Sequence, residues 1–175
     1  MADITYLGNE TSNRGAPALP AGHASAVHCL MIPLTSDILL LPNAAVAEVA
    51  GYQQPSMIDG SPDWYLGTYL WRDYQIPVIA YEVLNGDISD GVTINRDSRI
   101  AVLNTLNGNQ RLPYIGMITQ GIPRLQVVQT RSLETNPASI NRQGTHVAEF
   151  VMVNGEPITI PNIDTMESAI LGLSL

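Results

Sequence analysis

The stretch that decides the fold is Pro62–Gly86, which reads PDWYLGTYLWRDYQIPVIAYEVLNG. It is rich in Leu and in Trp, Tyr, Ile and Val, the last four of which are enriched in strands. Alternation over residues 65–72 predicts one strand, and the apolar run 76–83 predicts the next. A turn is expected at Asp73–Tyr74, because Asp tolerates turn geometry. One arginine, Arg72, lies within this strand-like segment, and its presence there needs a physical reason.

A second charged residue, Glu48, also lies in an apolar segment. A charge that loses its water is costly unless an opposite charge compensates it. The planar guanidinium of Arg72 is well suited to this, since it binds a carboxylate through two parallel hydrogen bonds. A mutual ion pair is therefore one interpretation. In the other, each side chain points separately to solvent on a half-exposed sheet, and the residue types alone favour neither.

The rest of the chain consists of short apolar runs separated by turn signals. Hairpins are predicted over 26–41, with a break at Thr35–Asp37, about Asn107–Gly108 and about Asn154–Gly155. Between them, the patterns predict an extended stretch with Val46, Glu48 and Ala50 on one side, or alternatively one helical turn over Ala44–Ala47, then a strand over 124–128 and a loop over 130–145. The chain is expected to close with a helix that is capped by Asn162 or Asp164 and has Ile163, Met166, Ile170 and Leu171 on its apolar face.

About nine or ten short strands with one terminal helix indicate an all-β sandwich or barrel. The length of 175 residues suits one domain or two small subdomains that share a core. The predicted hairpins have a similar spacing of strands and turns before residue 84 and after residue 98, so a subdomain boundary is expected near 84–98. Residues 1–25 are small and polar and predict a flexible tail. They lack the basic start and apolar block of a secretory signal.

Composition excludes several classes of function. The net charge is −8, and all eight basic residues are scattered arginines, so no nucleic acid partner is expected. The absence of lysine excludes a P-loop lysine and a Schiff base. No apolar run approaches the roughly 20 residues that span a bilayer, so membrane insertion is not expected. A lone Cys29 with no export signal favours the cytoplasm.

The sequence shows no catalytic or metal-binding pattern. The three histidines, His23, His28 and His146, lack ligand spacing, so neither a metal nor a cofactor is expected. Cys29 follows His28, but neighbours on a strand point to opposite faces, which favours a buried structural thiol over a nucleophile with its base. Asp87, Asp90 and Asp97 do not have the spacing of a calcium loop and are interpreted as solvated carboxylates.

A family resemblance enters with LLLPNAAVAEV, residues 39–49, followed by the stretch 62–86. Together they resemble the CheW-like domain of bacterial chemosensory systems. The positions that carry the resemblance are Val46, Glu48, Val49, Gly67, Arg72, Pro77, Val78 and Ile79. The second half is similar in a looser way, with Gly116 at the expected place. The resemblance covers roughly residues 26–171.

The resemblance implies a fold, a function and a site. The fold would be two five-stranded SH3-like β-barrels side by side, and the function that of a non-catalytic adaptor. Its partners would be a CheA-type histidine kinase and a methyl-accepting chemotaxis receptor. The family's Glu and Arg pair at the surface and shape the partner contact. The implied partner-binding residues are Val46, Glu48, Gly67 and Arg72.

Two departures from the family pattern stand out. Asp73 replaces the usual Gly after the arginine, and Gln120 replaces a common Asp. The first would re-aim the turn beside Arg72, and the second removes a charge. The segment WYLGTYLWRD, which contains Trp64 and Trp71, is most similar to the corresponding segment of the ChpC or PilI adaptors. These adaptors belong to type IV pilus systems, which serve twitching motility.

Other interpretations stay open at this point. The chain could be a structural or accessory subunit that competes for kinase or receptor sites, and self-association would identify a structural subunit. It could be a small β-barrel enzyme with an unfamiliar site, although no nucleophile and base are suitably spaced. It could also be the CheW-like part of a larger kinase or of a CheV-type fusion, although no receiver or kinase sequence accompanies it.

Overall fold

The described part of the chain is mostly β-structure. The structure is a computed structural model and describes residues 26–129, 133–135 and 144–173. The N-terminal tail predicted over residues 1–25 lies outside these ranges. The predicted fold class, all-β with a short C-terminal helix, is confirmed.

Alternating and β-branched sequences form short strands throughout the described residues. The strands are β1 (Ala26–Pro33), β2 (Ile38–Pro42), β3 (Val46–Gly51), β4 (Tyr65–Trp71), β5 (Tyr74–Ile79), β6 (Arg99–Asn104), β7 (Tyr114–Thr119), β8 (Arg124–Gln129), β9 (Glu134–Thr135), β10 (Val147–Val153) and β11 (Glu156–Pro161). A 3₁₀ turn, Asn43–Ala45, joins β2 to β3. It overlaps the helical turn predicted as an alternative over Ala44–Ala47, but Val46 and Ala47 already belong to the extended strand β3.

The strands form two sheets. One has the order β8-β1-β2-β11-β10-β9, and the other has the order β3-β6-β7-β5-β4. All neighbours are antiparallel except β2 with β11 and β5 with β7. The hairpins predicted over 26–41, about Asn107–Gly108 and about Asn154–Gly155 are confirmed. The first sheet has six strands instead of five, because β9 lies in the predicted loop 130–145. A strand of two residues is too short to show an alternating pattern in the sequence.

The two sheets do not divide at the predicted boundary near 84–98. That connector joins β5 to β6, and both strands belong to the five-stranded sheet. This sheet takes the continuous stretch 46–119, while the six-stranded sheet takes strands from before and after it. The similar rhythm of the two halves of the sequence shows where hairpins occur, but it does not show which hairpins share a sheet.

The core consists of three apolar layers, which follow from the two-residue period of the strands. On β6, Ala101 and Leu103 face the central cluster between the sheets, whereas Val102 joins the cluster on the opposite face of the five-stranded sheet. On β2, Leu39 faces the central cluster, and Leu40 faces the outer cluster of the six-stranded sheet. Each sheet therefore buries apolar side chains on both of its faces.

The C-terminal helix α2 (Ile163–Leu171) closes the central cluster. The predicted cap is confirmed, because the side chain of Asn162 accepts a hydrogen bond of 3.2 Å from the backbone N–H of Thr165. Met166 is fully buried in the central cluster. Leu171 was predicted on the apolar face, but it is 48% exposed, since it lies in the last turn beyond the sheet.

A short helix, α1 (Tyr81–Asn85), replaces the end of the strand predicted over 76–83. Its residue Glu82 is buried and accepts hydrogen bonds from the backbone N–H groups of Thr35 and Ser36, at 2.9 and 2.7 Å. The hydroxyl of Ser36 donates to the same carboxylate at 2.7 Å. The turn between β1 and β2 is thereby tied to the segment that follows β5, which connects the two sheets.

Candidate functional site

Arg72 lies in the turn of the β4–β5 hairpin. Trp71 and Tyr74 are the last paired residues of the two strands, so the turn is Arg72–Asp73. Both turn residues have a positive φ, 44° and 68°, as in the tight turns whose twist matches that of the flanking strands. The predicted turn at Asp73–Tyr74 and the strand position of Arg72 were wrong by one residue. No Gly or Asn marks the turn, and the alternation appears unbroken through Arg72.

The carboxylate of Glu48 on β3 meets the guanidinium of Arg72. The distance from Arg72 Nη2 to Glu48 Oε2 is 2.8 Å. Strands β3 and β4 are the two outermost strands of their sheet, so this contact requires the sheet to curl until its ends approach. The side chains remain 68% and 36% exposed. The predicted ion pair is confirmed, and the alternative of two separately solvated charges is wrong.

Trp71 holds the Glu48 carboxylate from the interior side. Its indole Nε1–H donates a hydrogen bond of 3.1 Å to Oε2, the oxygen that also meets Arg72. The Trp71 side chain is buried, and the Arg72 guanidinium carbon lies 4.9 Å from its ring centroid. That distance is within the range of a cation–π interaction. The buried Trp71 ring, the Glu48 carboxylate and the surface Arg72 guanidinium therefore each contact the other two.

A group of aromatic rings keeps Trp71 in place. The ring of Tyr114, on β7, meets Trp71 edge to face with centroids 4.8 Å apart. Tyr114 also meets Tyr74 edge to face at 5.1 Å. Such pairs add about 0.5–1.5 kcal/mol beyond the area that they bury. The base of the ion pair is therefore fixed by packing from three strands.

Val46 and Gly67 do not share the contacts of the ion pair. Val46 pairs with Leu103 on β6 and packs half-buried against the central cluster. Gly67 lies on β4 with a φ of +117°, and a Cβ atom there would collide with the carbonyl oxygen of Ser56. The two residues thus shape the backbone on either side of the pair. Their predicted role in partner binding stays a prediction.

Trp71 and Glu82 are the residues that sequence reasoning missed. The signal for Trp71 was its position directly before the hairpin turn, but the bond to Glu48 depends on how far the sheet curls. Glu82 sits in the same apolar stretch as Arg72, so the same argument about an unpaired charge applies to it. Its partners are backbone N–H groups 46 and 47 positions away, which residue types do not reveal.

The described residues contain no arrangement that resembles a catalytic centre. Cys29 is buried and His28 is exposed, as expected from their alternation on β1. Burial raises the pKa of the Cys29 thiol, which keeps it protonated and weakly nucleophilic. Among residues 26–129, 133–135 and 144–173, no group of three His, Cys, Asp or Glu could hold a metal ion. No helix in these ranges is long and apolar enough to cross a bilayer.

Two sheets that share a central apolar cluster, with an ordered ion pair at the surface, define a small β-protein. Comparison with known proteins gives the family. The model of the CheW-like domain matches residues 28–169, so the chain belongs to the CheW-like domain family. The CheW-like domain is a non-catalytic scaffold domain, so the matched residues 28–169 are not those of an enzyme.

A solved structure has the same fold. It is the crystal structure of the scaffolding protein TtCheW from Thermoanaerobacter tengcongensis, with a TM-score of 0.65 and 21% sequence identity. The match covers 78% of this chain and 89% of that chain. At this identity the likeness concerns the fold alone. The comparison with curated proteins gave no match.

Proposed function

We propose that this protein is an adaptor that couples a methyl-accepting chemotaxis receptor to a CheA-type histidine kinase in the cytoplasm. The pathway would be chemotaxis or the type IV pilus signalling that drives twitching motility. Membership of the CheW-like family supports this function. The Arg72–Glu48 pair is the observation that carries it, because an ordered charged group at the surface gives a partner a fixed target.

Stability alone does not account for this arrangement. An exposed ion pair contributes only about 0–1 kcal/mol to folding, and Arg72 is 68% exposed. Yet the pair is fixed by the indole of Trp71 and by a turn in which two residues other than glycine adopt positive φ. Backbone conformations of this kind cost free energy and are concentrated at functional sites. Binding to a partner provides a reason for that cost.

The test is a calorimetric titration of the protein against the regulatory domain of a CheA-type kinase, and separately against a receptor tip. Arg72→Ala is expected to weaken the binding to one of them at least about tenfold, or roughly 1.4 kcal/mol, while unfolding changes by no more than about 1 kcal/mol. Arg96→Ala is the matched control, because Arg96 is a surface arginine paired with Asp97 at 3.7 Å. It should leave both affinities unchanged.

Charge-reversal variants distinguish the contribution of the ion pair to partner binding from the separate contributions of Glu48 and Arg72. Glu48→Arg and Arg72→Glu should each weaken binding, and the double variant should recover part of the affinity. Recovery should stay incomplete, because the Trp71 indole loses its carboxylate acceptor in the double variant. If neither single change nor the double variant affects either titration, the pair has no part in binding. Binding to the receptor without the kinase would instead identify an accessory adaptor that competes for receptor sites.

A further inference from the structure

A cleft opens at the end of the five-stranded sheet opposite the Arg72 turn. It encloses about 610 Å³ between the loop that joins β3 to β4 and the connector 89–94. Tyr65 lines the cleft at the start of β4, and Trp71 ends that strand directly before Arg72. Tyr65 lies six residue steps from Trp71, or roughly 20 Å at about 3.3 Å a step, and Tyr52, which also lines the cleft, lies four steps from Glu48, or roughly 13 Å. The cleft is therefore distinct from the surface around the ion pair.

Apolar side chains are exposed in this cleft. Met57 is 79% exposed, Ile58 is 37% exposed and Ile94 is 38% exposed, and all three line it. Leu66 adds a half-buried apolar side chain to the floor. Large apolar groups gathered in a concave surface are typical of binding sites. Any occupant must therefore present apolar groups of its own.

Charge decides what else the occupant must carry. Asp59, Asp63 and Asp90 line the cleft and are exposed, and none of the described residues that line it is a lysine or an arginine. Three carboxylates without a compensating cation attract positive charge. Tyr52, which is half-buried, also lines the cleft, and Tyr rings bind cations over their faces.

We propose that the cleft binds a cationic, amphipathic peptide segment of a protein partner. Arginine or lysine side chains of the segment would meet Asp59, Asp63 and Asp90, and its apolar side chains would pack on Met57, Ile58 and Ile94. The volume is within the range of sites that take a few side chains. The proposal goes beyond the adaptor function, since it requires neither the kinase nor the receptor and lies away from the ion pair.

The test is an NMR titration of the full chain with two synthetic peptides. One is acetyl-Leu-Arg-Leu-Arg-Leu-amide, and the matched control has Gln in place of both Arg residues. The methyl signal of Met57, assigned with a Met57→Leu variant, reports on the cleft. The arginine peptide should shift this signal saturably, and the glutamine peptide should bind at least fivefold more weakly. Affinity should also fall as salt is added.

Variants locate the charges that matter. Asp59→Asn combined with Asp63→Asn should weaken the arginine peptide at least fivefold, because two of the three carboxylates are lost. Asp97→Asn is the control, since Asp97 is exposed, pairs with Arg96 and does not line the cleft. The peptide affinity of that control should not change. The thermal unfolding midpoints of all these variants should agree within a few degrees, because Asp59, Asp63 and Asp97 are exposed.

Several results would overturn the proposal. These are equal binding of both peptides, no shift of the Met57 signal at millimolar peptide, or an affinity that the double Asp→Asn variant leaves unchanged. A Met57 shift that follows protein concentration without any peptide would place a second copy of the chain in the cleft, which also contradicts the proposal. Because no kinase or receptor is present, failure here is distinguishable from failure of the adaptor function.

Discussion

One oxygen atom, Oε2 of Glu48, accepts from the core and from the surface at once. Trp71 donates to it from inside the sheet, and Arg72 meets it from outside. The residue types offered the pairing of Glu48 with Arg72 as one of two interpretations, and the resemblance to the CheW-like domain added that the family's Glu and Arg pair at the surface. The sequence could not predict the part of Trp71, since that bond exists only after β3 and β4, the outer strands of the sheet, come together.

Trp71→Phe tests the interior contact. The change keeps an aromatic ring in the cluster with Tyr114 but removes the Nε1–H donor, so it should cost about 1–3 kcal/mol of unfolding free energy and weaken partner binding with it. The measurement is urea unfolding beside the calorimetric titration. Trp64→Phe is the control, because Trp64 packs half-buried on the central cluster, away from Glu48. It should reduce stability without a selective loss of binding.

Glycine substitutions test the close approach at Gly67. Gly67→Ala should destabilise the protein by more than about 2 kcal/mol, because the new Cβ collides with Ser56 and the φ of +117° disfavours a side chain. Gly51→Ala is the control, since nothing lies within 4 Å of a Cβ atom there. It should change stability by less than about 0.5 kcal/mol. Similar urea midpoints for both variants would show that the β3–β4 loop yields to the extra methyl group.

At the scale of the elements, local chemistry predicted helix α2 well and helix α1 badly. The cap at Asn162 and the apolar spacing of Met166 are local signals that need no knowledge of the fold. Helix α1 has five residues, and its sequence continues the β-branched run of β5. A helix so short depends on its tertiary contacts, which here include the buried Glu82. The hairpin turn was misplaced for a related reason, since Asp73 tolerates positive φ and marked the turn, whereas Arg72 is not a usual residue for it.

The cap of α2 gives a prediction at this scale. Asn162→Ala should lower the unfolding free energy by about 1 kcal/mol, because the backbone N–H of Thr165 loses its acceptor. Ser168→Ala is the matched control. It removes a side-chain bond to the carbonyl of Asp164 inside the helix and should have little effect, since Ala is the better helix former. Thermal unfolding of the two variants decides the matter, and equal losses would contradict the assigned cap.

For the whole molecule, the sequence predicted the number and kind of elements better than their arrangement. Hairpins are local, so their turns are visible in the sequence. The pairing of β2 with β11 is not local: it is parallel and joins Leu39 to Thr159. No turn signal marks such a contact. For that reason the sequence predicts a subdomain boundary near 84–98, whereas this connector joins two strands of one sheet.

The free energy of unfolding should depend on pH through His146, which contacts helix α2. His146 is buried, its Nδ1 lies 3.0 Å from the hydroxyl of Thr165, and its carbonyl accepts from the Tyr81 hydroxyl at 3.0 Å. Burial lowers the pKa of His146 below 6.5, against a smaller opposing effect of the Thr165 bond. The unfolded chain therefore takes up the proton at a higher pH than the folded protein. Stability is complete above about pH 6.5 and falls as the pH drops below it.

Unfolding free energies measured between pH 7.5 and 5.5 test this expectation. His146→Gln should flatten the decline, because the buried imidazole no longer has to remain neutral. His28→Gln, at an exposed position of β1, should keep the slope of the unchanged protein. A slope that persists fully in His146→Gln would assign the pH dependence to other groups.

The segment that forms the five-stranded sheet lies, in the sequence, between strands of the six-stranded sheet. This order has a consequence during synthesis. Every strand of the five-stranded sheet has left the ribosome once residue 119 is free of the exit tunnel. The β1–β2 hairpin emerges first, yet its partner β11 ends at Pro161. About 120 residues of translation separate Leu39 from Thr159. Through that interval the apolar hairpin has no permanent neighbour on its β2 side, and an apolar strand edge exposed in this way is prone to aggregation.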